Sequence, residues 1–191
     1  MNGWGAALER QLRPEDEVLN FAKGGATTES FIAEGLWGDL LAQARSGDVA
    51  LIQFGHNDQK RPELLAAEGG YRDRLERFVR ELRERGMRAV LCTPVERRLF
   101  TDERLRPSHG PYPRAVRGLA ATLDVPLIDL TVFTSWLYEN LGVEGSAALF
   151  TERDDTHFHE YGAELVAAFV ARSLRAIFGW DDELEPLGSF H

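Results

Sequence analysis

The sequence predicts an α/β fold in which helices cover both faces of a parallel sheet. Short apolar runs of strand length alternate along the chain with amphipathic segments of helical period, and this alternation is typical of strand–helix–strand units. No internal repeat, low-complexity tract or linker divides the 191 residues. We therefore expect a single domain over residues 1–178, followed by an acidic tail over residues 179–191.

The order of the elements follows from the spacing of the apolar residues. Runs that are too short for a buried helix and end at turn residues are predicted strands, and they occupy residues 18–22, 49–54, 89–93 and 126–130. Segments in which apolar residues recur every three or four positions are predicted helices, and they occupy residues 6–12, 37–44, 71–85, 113–123, 133–141 and 160–178. A helix separates each pair of consecutive strands, as parallel pairing requires.

The composition excludes several classes of function. The net charge of −9 argues against nucleic acid or an anionic membrane surface as a partner. Cys92 is the only cysteine, which excludes an intrachain disulfide and a cysteine zinc cluster, and its apolar surroundings predict an inert core residue. No stretch approaches the ~18 apolar residues of a transmembrane helix. No cofactor is expected. The chain as written shows no signal peptide at Met1 and is predicted to be cytoplasmic, unless a signal lies upstream.

Three polar loops are the places where chemistry is expected. A glycine-containing loop over residues 24–28 follows the first predicted strand, and Gly55-His56-Asn57-Asp58 follows the second. A third loop, over residues 154–159, precedes the last helix. Loops that follow the strands of a parallel sheet emerge at one edge, where α/β proteins place their ligands. The first two loops should therefore lie together, and the third can join them.

The third loop contains an aspartate three residues before a histidine. This spacing lets the Asp154 carboxylate reach Nδ1 of His157 while Nε2 points outward, which would stabilise the imidazolium formed when the ring accepts a proton. In a second interpretation Asp154 or Asp155 caps the last helix and His157 is a polar surface residue. Both interpretations are open at this point.

The other two loops offer hydrogen-bond donors. The side-chain amide of Asn57 and the backbone N–H of Gly25 could both donate to an oxyanion that develops on a substrate. Asp58 is predicted to hold its turn in shape. His56 could position a substrate or simply belong to the turn.

These loops resemble sequence blocks of the SGNH (GDSL-like) hydrolases, and in particular the rhamnogalacturonan acetylesterase-like group. Residues 20–28 are similar to the second block, Gly55-His56-Asn57-Asp58 to the Gly-x-Asn-Asp block, and residues 154–157 to the Asp-x-x-His block. The resemblance extends to about Phe178. It implies a flavodoxin-like three-layer α/β/α fold and a serine esterase acting on an oligosaccharide or small-molecule ester, such as acetylated pectin-type sugar. The implied site residues are two oxyanion donors and an acid–base dyad, namely Gly25, Asn57, Asp154 and His157.

The Gly-Asp-Ser block, which carries the nucleophile in this family, has no counterpart in the chain. None of the serines stands in that context, and Ser30, which lies closest to the expected site, is interpreted as a helix-start residue. The resemblance places that block on a central first strand, in the order 2-1-3-4-5. We expect that the natural protein starts upstream. The alternatives are a chain that has lost catalysis and a gap that is filled by a partner chain or by a rearrangement. The 191 residues as written are expected to show little or no activity.

Two other functions compete with the esterase. A catalytically silent carbohydrate-binding protein would account for the missing nucleophile. A metal-dependent phosphoesterase would use Asp154, Asp155, His157 and His159 as ligands, although the order Gly-His-Asn-Asp fits that class poorly. Arg97 and Arg98 would either pair with uronate carboxylates or belong to a solvated loop. The sequence does not determine an oligomeric state.

Overall fold

The structure, a computed structural model, describes residues 3–180. Its helices are α1 (Trp4–Leu8), α2 (Thr28–Ala33), α3 (Leu36–Gln43), α4 (Pro62–Leu65), α5 (Gly70–Glu84), α6 (Tyr112–Leu123), α7 (Leu130–Ala147) and α8 (Glu160–Phe178). Its strands are β1 (Val49–Gln53), β2 (Arg88–Cys92), β3 (Phe100–Thr101), β4 (Arg104–Leu105) and β5 (Leu127–Ile128). Most of the predicted acidic tail lies outside the described residues.

The main sheet is parallel and has the order β1-β2-β5. Gln53, Cys92 and Ile128 stand at the carboxyl ends of the three strands, and Cys92 pairs with both of the others. The loops that follow these strands therefore leave the sheet along one edge. The predicted α/β class is confirmed, and the order β1-β2-β5 corresponds to the 3-4-5 half of a flavodoxin-like sheet.

The predicted strand over residues 18–22 is wrong, because this segment forms no ladder. In a flavodoxin-like sheet it would pair with the central first strand, and no strand lies between it and β1 within residues 3–180. A strand without a hydrogen-bonding neighbour is not stable by itself. Leu19 is accordingly exposed, and within the described residues β1 has a ladder partner on one side only.

Two predicted boundaries also change. The helix predicted over 133–141 begins at Leu130, where Asp129 caps it, and continues through a bend at Gly142 (φ 69°). The segment between β2 and α6, for which no helix or strand is predicted, contains the two-stranded hairpin β3–β4. The hairpin follows β2 and the start of α7 follows β5. Both differences therefore add regular secondary structure beside the carboxyl edge of the sheet.

The sheet separates two apolar cores. Ala50 and Ile52 of β1 face a core built with α5 and α6, whereas Val49 and Leu51 face the core of α1, α7 and α8. On α5 the predicted face is buried as expected (Tyr71, Leu75, Phe78, Val79 and Leu82). Cys92 is buried as predicted, and burial raises the pKa of its thiol to about 12. Within residues 3–180, none of the helices combines the length and apolar character needed to cross a bilayer.

Candidate active site

The carboxylate of Asp58 ties the first two polar loops together. Its side chain is fully buried. Oδ1 accepts hydrogen bonds from the backbone N–H of Thr28 at 2.8 Å and from the Thr28 hydroxyl at 2.7 Å, and Oδ2 accepts from the N–H of Gly55 at 3.1 Å. The carboxylate thus joins the start of α2 to the end of β1. The predicted role of Asp58 in holding its turn agrees with these bonds.

Asn57 lies against the glycine loop with its amide fixed at both ends. Its Nδ2 donates to the Ala26 carbonyl at 3.2 Å, and its Oδ1 accepts from Nζ of Lys60 at 2.9 Å. A primary amide has two N–H donors, so one remains for a ligand. The adjacent Gly25 has a φ of +82°, and its N–H has no hydrogen-bond partner among the described residues. Two amide donors thus lie on neighbouring loops at the sheet edge.

His157 and Asp154 form the hydrogen-bonded pair that the sequence predicts. Nδ1 of His157 lies 2.7 Å from Oδ2 of Asp154, and Oδ1 accepts from the backbone N–H groups of Thr156 and His157 at 2.8 and 2.7 Å. The hydrogen bond from the His157 ring, followed by the two backbone bonds, lowers the pKa of Asp154 to about 2. Neither aspartate caps α8, whose N-cap is His159 without a side-chain hydrogen bond. The helix-cap interpretation is therefore wrong.

The loop that carries this pair is fastened at its base. The N–H of Thr151 donates to the His157 carbonyl, and that of His159 donates to the Leu149 carbonyl, both at 2.9 Å. Gly162 lets the start of α8 approach closely, since a Cβ on it would lie 2.2 Å from the Leu149 oxygen. Nε2 of His157 is left without a hydrogen-bond partner among residues 3–180, so it is available to a reacting group.

The loop after β2 lies between the other two, and this placement was missed from the sequence. Arg97 donates from its guanidinium to the His56 carbonyl at 3.1 Å, and burial lowers the pKa of Arg97. Arg98 contacts Asp155 at 2.5 Å, and only 16% of its side chain is exposed. A solvated loop is therefore the wrong interpretation of Arg98. The sequence predicts either uronate pairing or a solvated loop for these two arginines, and no local pattern indicates their contacts with His56 and Asp155.

Two further residues support the same loop. His109 is buried, its Nε2 lies 2.7 Å from the Val95 carbonyl, and its ring meets that of His56 edge-on at 4.4 Å. Burial, followed by the charges of His109 and Arg97, lowers the pKa of His56 well below its usual 6.5. Glu96 is also buried and accepts from the backbone N–H of Arg97 at 3.0 Å. His56 is therefore a neutral, packed ring rather than a free turn residue.

Several serine hydroxyls of residues 3–180 have hydrogen-bond partners other than His157. Ser30 forms a capping box with Thr27 at the start of α2, as its interpretation as a helix-start residue requires. The Ser108 hydroxyl donates to Glu96, and Ser146 accepts from Arg98. No serine hydroxyl among residues 3–180 hydrogen-bonds the His157 ring, and Ser189 lies outside the described residues.

The structure does not assemble the ligand set of the phosphoesterase interpretation. In the part of the chain that the structure describes, no three His, Cys, Asp or Glu side chains are grouped so that they could hold a metal ion. The pairing of Asp154 with His157 and of Asp155 with Arg98 uses the carboxylates that this interpretation needed.

A parallel α/β sheet with an Asp–His pair and free amide donors at its carboxyl edge is typical of hydrolases. The comparison with known proteins is more specific. Residues 1–165 match the profile of the GDSL-like lipase/acylhydrolase family. The chain belongs to this family.

Two curated relatives place the chain within a branch of that family. It is 40% identical over 192 residues to rhamnogalacturonan acetylesterase RhgT of Bacillus subtilis (strain 168), covering 93% of this chain and 82% of that one. It is 29% identical over 194 residues to the probable rhamnogalacturonan acetylesterase YesY of the same organism, covering 92% and 84%. The resemblance to the rhamnogalacturonan acetylesterase-like group is confirmed.

Solved structures confirm the fold. The B. subtilis protein YxiM superposes with a TM-score of 0.83 at 27% identity, covering 92% of this chain, which spans half of that protein (50%). Axe2, an acetylxylan esterase from Geobacillus stearothermophilus, superposes with a TM-score of 0.68 at 22% identity, covering 91% of this chain and 81% of that one. The three-layer flavodoxin-like architecture is therefore shared with these proteins.

Proposed function

We propose that this site hydrolyses acetyl esters of carbohydrates by serine acyl-transfer chemistry. The observation that carries the proposal is the 2.7 Å hydrogen bond between Asp154 and Nδ1 of His157, which leaves Nε2 free as a base. Gly25 and Asn57 supply the two amide donors for the oxyanion. The names of RhgT and YesY support an acetylated sugar as substrate.

The chemistry proceeds in two halves. A serine hydroxyl gives its proton to Nε2 of His157 as its oxygen bonds to the acetyl carbon, and the carbonyl oxygen becomes an oxyanion held by Gly25 and Asn57. The bond to the sugar oxygen then breaks, and His157 returns the proton to that oxygen. Water, activated in the same way, releases acetate from the acylated serine. Asp154 keeps the ring oriented and stabilises the imidazolium in both halves.

Charge near the oxyanion donors supports an acidic sugar as substrate. Lys60 and Arg97 both lie beside the Gly55–Asp58 turn, where they bond to Asn57 and to the His56 carbonyl. Neither forms an ion pair with a carboxylate among residues 3–180. In a chain of net charge −9, two such cations favour a uronate-containing substrate, because they attract its carboxylate.

A catalytically silent carbohydrate-binding protein is the second candidate. The observation that favours it is the absence, within residues 3–180, of a serine bonded to the His157 ring. We expect the 191 residues alone to release little or no acetate. The two candidates differ in their response to an added serine: the esterase would gain activity, and the silent binding protein would not.

The test adds an apolar strand ending in Gly-Asp-Ser, joined by a short linker, ahead of Met1. A matched extension ending in Gly-Asp-Ala is the control. We expect acetate release from acetylated rhamnogalacturonan only with the serine extension, and its loss on His157→Ala. Intact mass after exposure to a fluorophosphonate reports whether a reactive serine is present.

Each outcome has a distinct meaning. A single fluorophosphonate adduct together with acetate release supports the esterase. Neither adduct nor acetate release from the serine extension, accompanied by saturable binding of the oligosaccharide, would instead support the silent carbohydrate-binding protein. Acetate release that survives His157→Ala would contradict the role assigned to the dyad.

A further inference from the structure

We propose that Arg97 and Arg98 are positioning residues that set the spacing between the two halves of the site. The oxyanion half comprises residues 24–28 and 55–60, and the base half comprises residues 151–159. The inference rests on the proposed function, because only an acyl-transfer site requires these halves to act on one substrate. It concerns residues that neither bind the acetyl group nor transfer a proton.

The two halves do not hold each other directly. Hydrogen bonds hold each half together internally. Asp58 accepts such bonds within the oxyanion half, and Asp154 accepts them within the base half. Among the described residues, no hydrogen bond joins one half to the other. Their relative position therefore depends on what lies between them, which is the loop after β2.

Arg97 fastens this loop to the oxyanion half. Its guanidinium donates to the His56 carbonyl at 3.1 Å, one residue before Asn57. Its own backbone N–H is held by the buried carboxylate of Glu96 at 3.0 Å, and the N–H of Glu96 donates to Thr134 of α7 at 2.8 Å. The backbone from which the Arg97 side chain extends to the Asn57 turn is thus anchored in the buried interior.

Arg98 fastens the same loop to the base half. Its backbone N–H donates to the Asp155 carbonyl at 2.9 Å, and its guanidinium contacts the Asp155 carboxylate at 2.5 Å. The remaining guanidinium nitrogens donate to Ser146 at 3.1 Å and to the Val143 carbonyl at 2.5 Å. Asp155 lies between Asp154 and His157 in the chain, so fixing it at backbone and side chain limits the movement of both.

The two arginines are consecutive, and this matters for the spacing. A trans peptide holds consecutive Cα atoms about 3.8 Å apart and is planar, so the connection cannot stretch. Base and oxyanion donors must act on one carbonyl group, and a misplacement of about 1 Å can lower a rate by about a hundredfold. Arg97 and Arg98 together therefore form a short, charged connection between the oxyanion half and the base half, which we call the arginine brace.

The spacing itself can be measured with spin labels. Glu63→Cys and Glu152→Cys place labels on exposed positions near the two halves, and the native Cys92 is buried and does not compete. The distance distribution is recorded by electron–electron double resonance in this background. We expect Arg98→Ala to widen the distribution by about twofold or more, because the base half then samples locally opened states.

Matched variants separate positioning from general loss of charge or fold. Arg153→Ala removes an arginine next to Asp154 that has no hydrogen-bond partner among the described residues, and it should leave the distribution unchanged. Asp155→Ala removes the carboxylate but not the backbone bond, and should give an intermediate width. Arg98→Lys should give a distance distribution narrower than that of Arg98→Ala, because the lysine keeps the positive charge. Circular dichroism confirms that each variant is folded.

A second readout follows His157 directly. In nitrogen-15 spectra, the Nδ1–H proton of His157 should exchange with water about tenfold faster in Arg98→Ala, because the Asp154 bond opens more often. Arg97→Ala should instead shift the side-chain amide signals of Asn57. Neither measurement requires turnover, so the role of the arginine brace can be tested even if no ester is cleaved. Unchanged widths and unchanged exchange in folded Arg98→Ala would overturn the proposal.

Discussion

The Asp58 carboxylate accepts two hydrogen bonds from Thr28, a residue that lies 30 positions earlier in the chain. One bond comes from the backbone at the start of α2 and the other from the side chain. A third bond, from Gly55, reaches the same carboxylate. A single buried charge thus defines how the glycine loop and the Asn57 turn face each other.

Removing this carboxylate should destabilise the protein markedly. Asp58→Ala leaves three buried donors without an acceptor, and we expect a loss of roughly 3 kcal/mol in the free energy of unfolding. Urea unfolding followed by circular dichroism measures it. Glu76→Gln, which removes a charge from an exposed position on α5, should change the free energy by less than about 0.5 kcal/mol. A loss no greater than that of Glu76→Gln would contradict the role of Asp58.

Gly162 should not tolerate even a methyl group. In Gly162→Ala the new Cβ would lie 2.2 Å from the Leu149 carbonyl oxygen, so the start of α8 must move. We expect a destabilisation of about 2 kcal/mol or more, measured as a fall in the melting temperature.

Gly118→Ala is the matched control for Gly162. Gly118 is also helical, in α6, but nothing lies within 4 Å of its Cβ position. Alanine there should stabilise the protein by up to about 1 kcal/mol, since it reduces the entropy of the unfolded chain. Equal effects of the two substitutions would show that backbone entropy, rather than the contact with Leu149, determines the result.

The carboxyl group of Asp154 should titrate far below an ordinary aspartate. Its pKa of about 2 lies under the usual value of 3.8, so this group favours the folded state above the usual pKa and loses that effect as the pH falls toward 2. Carbon-13 shifts of the side chain should give a midpoint near pH 2. In His157→Gln the largest cause of the shift is removed, and the midpoint should rise toward 3.8. A midpoint near 3.8 in the unaltered protein would show that the Asp154–His157 bond does not persist in solution.

His56 should remain neutral well below its usual pKa. Because burial and the neighbouring positive charges lower its folded-state pKa below 6.5, the unfolded chain binds the proton more readily. The contribution of neutral His56 is therefore complete above pH 6.5 and declines as the pH falls below it. The free energy of unfolding should decrease from pH 7 to pH 5, and the slope should be smaller in His56→Gln. An unchanged slope would assign the pH dependence to other groups, such as His109, whose pKa burial also lowers.

The features that could be predicted from the sequence are those governed by local pattern. The buried face of α5 followed from the spacing between Tyr71 and Leu82, and the contact of Asp154 with His157 followed from a separation of three residues. The segment over residues 18–22 was mispredicted for a non-local reason, because strand formation depends on a neighbour as well as on β-propensity. The contacts of Arg97 and Arg98 could not be predicted for a similar reason, because their partners lie 41 and 57 positions away in the chain.

Within residues 3–180, β1 pairs with a neighbouring strand on one side only, and this has a consequence for handling the 191 residues by themselves. A strand edge with unpaired N–H and C=O groups is a template for strands of other molecules. The side chains of Val49 and Leu51 do not cover this edge, because they face the core of α1, α7 and α8. Association of the 191 residues at high concentration should therefore begin at the open edge of β1.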